Sequence, residues 1–600
     1  EIYTLSLHDA LPISNNSARM NQMTPNCSEA ANKMPCEELK VALVHASISW
    51  KEKDKNIARL LALNREAAQN GARLIVNTEL ATTGYAFLSR KEIAPLTESI
   101  PGPTTEAFGL IANEFGCYIC IGLAEHDMRT GIFYNSAALL GPTKGVAARY
   151  RKLSPAFREN LWAAKGNLPV PVVQTEFGAL GMVICADSYS YRPARIAALQ
   201  GARVLLVPAN WPPEHHNPER FWRARSLENG IYVLACNRTG MDKTMDCNGA
   251  QSFIVNPQGE TVAQMSSPDD TIIYGSLPLN GVTTQNALSG RRPQCYGNIT
   301  LDPYSHISID FLLGLPQAAD FTAATLQLCS EPRNVVENTK RAIRLIDDAL
   351  AKAAREKGTT INLVVLPELS TSGAIFGAEV AEICSEEIPG KVTDLFSQKA
   401  GERDLFIVLG MPERDELGFY NSSVLIGPDG IVGKYRAVHL SWRDRNWASP
   451  GDGGFAAYDL PFARIGMLIG HDLLFPEAAD SLAKLGADVL CVPALWDDAK
   501  SRFIWEARLS EQMHLAVANQ WGDCAGLQAI GESLLCSYSR FQEKVIRLSS
   551  PPTGDAINIA RLGTKDSREK RFLENIDYDV LLDLSNAGKS SNGSQRRPKK

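Results

Sequence analysis

Short apolar runs and helical stripes alternate along most of the chain. The run Val41–Val44 is followed by an amphipathic stripe, and a second run, Leu74–Val76, ends just before Glu79. Apolar residues of the stripe recur at helical spacing, at Ile57, Leu60, Leu61 and Ala67. Strand-like runs that alternate with helix-like stripes predict an α/β fold. Reacting groups in such folds tend to lie where strands end, so Glu79 is a candidate functional residue.

The second half of the chain repeats the first. An apolar run at Ala323–Leu328, a helical stripe and a run at Leu363–Leu366 lead to Glu368 in the same order. Between positions 150 and 211 the matching residues lie 285 positions apart, namely Tyr150 and Tyr435, Gly181 and Gly466, Asp187 and Asp472, Pro208 and Pro493, Trp211 and Trp496. Matches that stay in register over such a distance predict a tandem duplication of one domain.

The repeat also sets the expected domain boundaries. One domain is expected at residues 37–304 and a second at 319–584, joined by a linker at 305–318. Residues 1–36 are expected to lie outside the fold, because Glu1–Ser14 resembles the conceptual translation of a sequencing adapter and the rest is typical of a disordered leader. The polar and basic segment 585–600 predicts a disordered tail.

Composition and charge narrow the class of protein. The 600 residues are 44% hydrophobic and 21% charged, which is typical of a globular chain. A net charge of −6 disfavours a nucleic-acid partner, and no apolar run approaches the ~20 residues of a membrane span. The 13 cysteines have no spacing typical of a secreted disulfide framework, so a cytoplasmic location is expected.

Three chemically distinctive residues of the first copy lie at or just after strand-like runs: Glu79, Lys152 and Cys185. A cysteine at a turn between a strand and a helix presents its sulfur to a pocket, where backbone N–H groups can receive an oxyanion. Such a thiol needs a base, which a carboxylate supplies, and a nearby lysine favours the thiolate and developing negative charge. The three residue types together indicate nucleophilic catalysis by a thiol.

The motifs around these residues resemble those of the nitrilase, or carbon–nitrogen hydrolase, superfamily. The three motifs are Glu79–Tyr85, Tyr150–Lys152 and Gly181–Asp187, and the flanking landmarks are Phe133–Ser136, Pro208–Trp211 and Arg225–Asn229. The resemblance implies that each copy folds as a four-layer αββα sandwich. It implies Glu79 as the general base, Lys152 as the residue that stabilises the oxyanion, and Cys185 as the nucleophile. A second family glutamate maps onto Glu159, which would position the substrate or assist proton transfer.

The implied activity is hydrolysis of a non-peptide carbon–nitrogen bond in a small molecule, through a thioester and with release of ammonia or an amine. The resemblance implies neither a metal nor an organic cofactor. Ala186 and Asp187 follow the cysteine where true nitrilases usually carry Trp–Glu, which favours a linear amide or an N-carbamoyl substrate over a nitrile. Nitrile hydrolysis, acyl transfer to an acceptor other than water, and a non-catalytic binding role remain alternatives.

The second copy lacks two of the three reactive side chains. Ala437 lies at the lysine position and Gly470 at the cysteine position, whereas the glutamate persists as Glu368, and Asp444 matches Glu159. Losing the nucleophile alone can cost on the order of 10⁶ in rate. We therefore expect an inactive second domain that pairs internally with the first, as subunits of this superfamily pair in dimers. Further homo-oligomerisation is left open.

Overall fold

Two α/β domains follow one another along the chain. The computed structural model describes residues 38–586 apart from 144, 214–217, 244, 281, 283, 305–306 and 540–544, so the predicted leader and most of the predicted tail lie outside the described residues. Each domain contains two six-stranded sheets packed face to face, with helices on their outer faces. The predicted fold class, two tandem αββα sandwiches, is confirmed.

The elements of the first domain form two mixed sheets and a small hairpin. Its strands are β1 (Leu39–His45), β2 (Leu74–Val76), β3 (Tyr118–Asp127), β4 (Ile132–Gly141), β5 (Gly145–Arg151), β6 (Val172–Thr175), β7 (Gly178–Met182), β8 (Ala202–Pro208), β9 (Tyr232–Cys236), β10 (Met241–Asp242), β11 (Met245–Asp246), β12 (Ser252–Val255), β13 (Thr261–Met265) and β14 (Thr271–Leu277). Its helices are α1 (Lys53–Gln69), α2 (Arg90–Ile93), α3 (Pro103–Phe115), α4 (Tyr191–Leu199), α5 (Glu219–Asn229) and α6 (Gln285–Leu288). The sheet orders are β14-β1-β2-β3-β4-β5 and β13-β12-β9-β8-β7-β6.

The second domain repeats this plan. A short helix, α7 (Ile309–Leu313), lies within the predicted linker. The strands are β15 (Asp320–Gln327), β16 (Leu363–Val365), β17 (Phe406–Asp415), β18 (Gly418–Gly427), β19 (Gly430–Arg436), β20 (Ala457–Asp459), β21 (Arg464–Met467), β22 (Val489–Ala494), β23 (His514–Asn519), β24 (Trp521–Cys524), β25 (Leu527–Ile530), β26 (Leu534–Cys536), β27 (Arg547–Ser549) and β28 (Ala556–Gly563). The helices are α8 (Val335–Lys352), α9 (Ala378–Cys384), α10 (Lys391–Arg403), α11 (Pro476–Lys484), α12 (Ser501–Ala507), α13 (Thr564–Ser567) and α14 (Tyr578–Leu582). The sheet orders are β19-β18-β17-β16-β15-β28 and β20-β21-β22-β23-β26-β27.

The inward face of α1 differs from the apolar stripe that the sequence suggests. Leu60 and Ala67 are buried, but Ile57 and Leu61 are only half-buried. Two buried asparagines of α1, Asn56 and Asn64, share the inner face instead. Asn64 exchanges side-chain hydrogen bonds of 2.7 and 2.9 Å with Asn77, which follows β2, and the Asn56 carboxamide accepts from a backbone N–H. Buried polar groups persist where they are hydrogen-bonded, which hydropathy patterning does not register.

The two domains meet through corresponding helices. Helix α5 of the first domain packs against α12 of the second, and α4 forms ion pairs with α11. Arg192 pairs with Asp480 at 2.5 Å and Arg195 with Glu477 at 3.1 Å, all four side chains being nearly or fully buried. Arg192 corresponds to Glu477 and Arg195 to Asp480 at the offset of 285, so the contacts run crosswise, as in an isologous interface.

The segments that follow each sandwich cross to the other domain. Arg291, beyond the first sandwich, pairs with Glu477 of α11 at 3.0 Å. Helix α14, beyond the second sandwich, packs against α4. Each domain is therefore held by the C-terminal segment of the other as well as by its own helices.

Candidate active site

Cys185 lies at a strained turn between β7 and α4. Its φ is 44°, in the left-handed region that residues other than glycine rarely adopt, and it begins a 3₁₀ turn over Cys185–Ser188. The side chain is 6% exposed. Ser188 fixes the turn, because its hydroxyl donates to the Cys185 carbonyl at 2.6 Å. The turn presents the sulfur at the floor of a cavity of about 820 Å³.

Glu79 and Lys152, two further residues predicted from the sequence, extend from strands of the sheet that does not contain β7, and their side chains are in direct contact. Glu79 follows β2 and Lys152 follows β5, where strand ends meet at one edge. The Lys152 Nζ donates to Glu79 Oε1 at 2.6 Å, and both side chains are fully buried. The Lys152 backbone is fixed as well, because its N–H donates to the Asn135 carbonyl at 2.8 Å.

Glu159, the fourth predicted residue, completes this cluster. It lies in a 3₁₀ turn over Phe157–Leu161, and its Oε1 accepts from Lys152 Nζ at 2.6 Å. The Tyr85 hydroxyl donates to the same carboxylate. Asn135 bridges the two glutamates, since its Nδ2 donates to Glu79 at 2.8 Å and to Glu159 at 3.1 Å. The structure thus brings Glu79, Lys152 and Glu159 into one buried network.

Asn210 connects this network to the cysteine. Its backbone N–H donates to Glu79 Oε2 at 2.9 Å, and its carbonyl accepts from Cys185 Sγ at 3.8 Å. Its side-chain amide donates to the Glu79 carbonyl at 2.9 Å. One residue at the end of β8 therefore sets the separation between the thiol and the carboxylate. All four predicted site residues lie in one place.

The burial of this cluster governs its protonation. Burial, together with the negative charge of Glu79, raises the pKa of the Cys185 thiol well above its ordinary value, so the resting thiol keeps its proton. Burial raises the pKa of Glu159 to about 7, against the lowering effect of Lys152. Burial lowers the pKa of Lys152, but the carboxylates of Glu159 and Glu79 reverse this and raise it well above its ordinary value. A cationic lysine next to a neutral thiol suits an attack in which a base removes the thiol proton.

Asp187 ties the cysteine turn to the strand that carries the lysine. Its carboxylate accepts from the Tyr150 hydroxyl at 2.7 Å and from the backbone N–H groups of Leu153 and Ser154 at 3.0 and 2.8 Å. Burial raises the pKa of Asp187 to about 6. The carboxylate sits two residues after Cys185 and holds the residues directly after Lys152, so it sets the separation of the two reactive groups.

Sequence reasoning gave no role to Tyr85, Asn135, Asp187 or Asn210, although all four lie inside quoted motifs or landmarks. A usable signal was present for Asn135, because it recurs as Asn421, whose Nδ2 donates to Glu368 at 2.9 Å. The second copy keeps this asparagine although it has lost its nucleophile. The shared asparagine therefore indicates a residue that holds the glutamate in place. Asp187 likewise recurs as Asp472, which accepts from Tyr435 at 2.8 Å.

The corresponding region of the second domain is filled. Gly470 occupies the cysteine position, and a Cβ built there would lie 2.5 Å from Trp496 Nε1 and 2.9 Å from Glu368 Oε2. Glu368 stays buried, and burial with the nearby Asp444 raises its pKa to about 8. The nearest cation is the Arg443 guanidinium at 3.9 Å. The indole therefore takes the space that a nucleophile and its substrate would need.

The described part of the chain shows neither a metal cluster nor a membrane-spanning helix. Among the residues that the structure describes, no group of three or more His, Cys, Asp or Glu side chains is arranged to hold a metal ion. Within the same residues, no helix has the length and apolarity needed to cross a membrane.

One family of known proteins matches both halves of the chain. The carbon–nitrogen hydrolase family model matches residues 40–286 and again 322–539. A nitrilase from Pyrococcus abyssi is 34% identical over 242 residues, covering 40% of this chain and 90% of its own. A Francisella tularensis citrullinase is 27% identical, covering 44% of this chain and 98% of its own, and human omega-amidase NIT2 is 28% identical, covering 40% and 88%. The chain belongs to the carbon–nitrogen hydrolase family and carries that family's domain twice in tandem.

Proposed function

We propose that the first domain hydrolyses a linear amide or N-carbamoyl compound through a thioester on Cys185, and that the second domain is catalytically inactive. The observation that carries the proposal is the fully buried network in which Lys152 lies between Glu79 and Glu159, joined to the thiol through Asn210. Buried, charge-coupled groups at the floor of a cavity are typical of catalytic sites.

In the first half of the reaction, the sulfur attacks the carbonyl carbon while the Glu79 carboxylate accepts the thiol proton. A base is required, because burial raises the pKa of the Cys185 thiol. The Lys152 ammonium stabilises the oxyanion that develops on the substrate oxygen. Glu79 then donates the proton to the leaving nitrogen, the carbon–nitrogen bond breaks, and ammonia or an amine departs from the thioester.

In the second half, water replaces the departed nitrogen. The water oxygen attacks the thioester carbon while Glu79 accepts a proton from that water, and Lys152 again stabilises the oxyanion. The carbon–sulfur bond breaks, the acid is released, and the thiol regains its proton. Two residues hold these groups in position throughout: Glu159 binds the Lys152 ammonium and Asn135 binds the Glu79 carboxylate.

Nitrile hydrolysis is the second candidate. The nitrilase from Pyrococcus abyssi is 34% identical to this chain over 242 residues, and the same thiol, base and cation suit attack on a nitrile carbon. The residues after Cys185 favour the amide, because Ala186 and Asp187 lie where true nitrilases usually carry Trp–Glu.

The test is ammonia release from a panel of matched amides, N-carbamoyl compounds and nitriles. Wild type is compared with Cys185→Ala and with Cys295→Ser, a half-buried cysteine outside the cavity. We expect Cys185→Ala to abolish release and Cys295→Ser to retain it, and the preferred panel member assigns the substrate class. Ammonia release by Cys185→Ala at the wild-type rate would refute the proposal.

A further inference from the structure

The cavity above Cys185 belongs to both domains. Its floor and near wall come from the first domain, including Tyr85, Trp211 and Phe221. Its far wall comes from the second, including Gln512, Arg547 and Arg571. With a volume of about 820 Å³ the cavity holds far more than a minimal amide group. A substrate that fills it contacts the second domain while its reacting carbon lies at Cys185.

The far wall is built into the catalytic network. Gln512 binds both backbone polar groups of Arg571, donating to its carbonyl at 2.6 Å and accepting from its N–H at 2.8 Å. The chain then reaches Asn575, whose side-chain amide donates to the Gly166 carbonyl at 2.7 Å. The Gly166 N–H in turn donates to the carbonyl of Lys152 at 2.8 Å. Residues 571–575 are thus fixed at both ends and linked to the lysine.

Cation–π contacts of the Phe572 ring hold the middle of the segment 571–575 in place. The ring covers the Arg192 guanidinium at 4.9 Å and the Lys484 ammonium at 4.1 Å, so it contacts a cation from each domain. Arg192 is itself held by Asp480. The wall is therefore a packed part of the domain interface and keeps its place when the cavity is empty.

The charges of the lining are unequal. In the part of the chain that the structure describes, five cationic and two acidic side chains line the cavity, the cations being Lys165, Arg192, Arg220, Arg547 and Arg571 and the acids Glu511 and Glu574. Lys165 pairs with Glu574, and Arg192 with Asp480. Glu511 accepts from the Ser510 hydroxyl at 2.8 Å.

An excess of positive charge remains on the far side. Arg547 shares the Glu506 carboxylate with Arg220 of the first domain, at 3.2 Å, and with Arg502, at 3.9 Å. Arg571 is exposed, and its guanidinium forms no ion pair with any residue that the structure describes. Guanidinium groups bind carboxylates through paired, charge-assisted hydrogen bonds, and the carboxylates beside Lys152 repel an anion from the reacting end. An anionic substrate would therefore bind in one orientation.

We propose that the second domain completes the substrate site, with Arg571 and Arg547 binding an anionic group at the end of the substrate remote from the scissile carbon–nitrogen bond. This inference rests on the proposed function of Cys185 and names its substrate class, a linear amide or carbamoyl compound that carries a remote carboxylate or similar anion. Arg571 and Arg547 are specificity-determining residues in this account, and they lie in the domain that lacks a nucleophile.

The kinetic test compares glutaramate with pentanamide, two primary amides of equal length that end in a carboxylate and a methyl group. We expect wild type to prefer glutaramate, and Arg571→Met and Arg547→Met to lower the glutaramate-to-pentanamide ratio of kcat/KM about tenfold each, mainly through KM. Arg561→Met is the matched control, because Arg561 is 75% exposed and pairs with Asp320 outside the cavity. An unchanged ratio in both variants, or a wild-type preference for pentanamide, would overturn the inference.

A binding measurement separates this inference from the proposed function. Glutaramate is titrated by calorimetry into full-length Cys185→Ala protein and into the same protein with Arg571→Met. We expect glutaramate to bind the first and to bind the second about tenfold more weakly. Equal binding, or none, would refute the anion site, whereas absent ammonia release by wild type with glutaramate binding intact would count against the proposed function alone.

Discussion

At the scale of single residues, the site concentrates charge away from the protein surface. Glu79, Lys152 and Glu159 are all fully buried, and two carboxylates face one ammonium. Removing ions from water is costly unless each is paired and hydrogen-bonded, and Asn135 and Tyr85 supply the remaining partners. Their arrangement holds the base and the oxyanion-stabilising cation within contact of one another before substrate arrives.

The base and its counterpart in the second domain provide a matched pair of variants. We expect Glu79→Gln to lower kcat by at least ~10²-fold, because the amide accepts no proton from the thiol. Glu368→Gln removes an equally buried carboxylate from the filled pocket under Trp496, and we expect it to leave ammonia release unchanged. The measurement is steady-state ammonia release by both variants, and a large loss in Glu368→Gln would contradict an inactive second domain.

The sequence pointed to Glu79, Lys152 and Cys185, because each lies in a local motif at or after a strand-like run, and to Glu159 through the family resemblance. The structure brings the four together, and their catalytic roles stay a prediction. The sequence was not sufficient for every residue that supports them. Asn210 lies just after β8, in the other sheet, and reaches Glu79 across the sandwich. Contacts between sheets depend on how the sandwich closes, and no spacing along the chain encodes them.

At the scale of elements, close approach between β3 and the segment after β2 fixes the base. A Cβ built on Gly122 of β3 would lie 2.6 Å from the Glu79 Cα and 2.7 Å from the Leu80 N. The second domain repeats the contact, since a Cβ on Gly410 would lie 2.7 Å from the Glu368 Cα. Only glycine lets the backbones meet at this distance, which the motif alone did not reveal.

Gly122→Ala is therefore expected to displace Glu79 and lower kcat about 100-fold, since a shift of ~1 Å in a catalytic group has an effect of this size. Gly109→Ala is the control, because Gly109 lies on α3 with nothing within 4 Å of a built Cβ. Alanine there is expected to keep full activity and to stabilise the helix by ~0.5–1 kcal/mol. Wild-type kcat in Gly122→Ala, measured beside a thermal unfolding curve, would contradict this account of the contact.

At the scale of the whole molecule, the duplicated helices have acquired opposite charges. Arg192 and Arg195 of α4 face Asp480 and Glu477 of α11, with a buried ion pair at each crossing. Burial raises the pKa of Glu477, but Arg195 and Arg291 outweigh it and lower that pKa below its ordinary value. Two first domains meeting through α4 would bring arginines together, so the charges favour pairing within one chain.

Asp480→Arg is expected to destabilise the protein by ~3–5 kcal/mol, because it leaves Arg192 buried without a counterion and adds a second cation. Adding Arg192→Asp restores opposite charges and is expected to recover much of the loss. Asp320→Arg at the exposed pair with Arg561 is the control and should change stability little. Denaturant unfolding of the three variants checks this, and equal stability of Asp480→Arg and wild type would contradict a buried interface.

The duplication and the order of the two domains could be predicted from the repeated pattern, and the sandwich architecture from the family resemblance. The shared cavity could not. Residues 571–575 lie more than 400 positions from Gly166 and carry no motif, and their contact depends on the crossing of the two C-terminal segments. The predicted linker contains a helix, α7, that the sequence did not reveal. Ile309–Leu313 is too short to show a helical stripe.

The most direct test of the central claim is to trap the acyl group. Wild-type protein is mixed with its preferred amide, quenched in acid within the first turnover, digested and analysed by peptide mass. The account predicts the acyl mass on the peptide that contains Cys185 and on no peptide of the second domain. Ammonia release with no acyl group on Cys185, or an acyl group on a residue of the second domain, would contradict it.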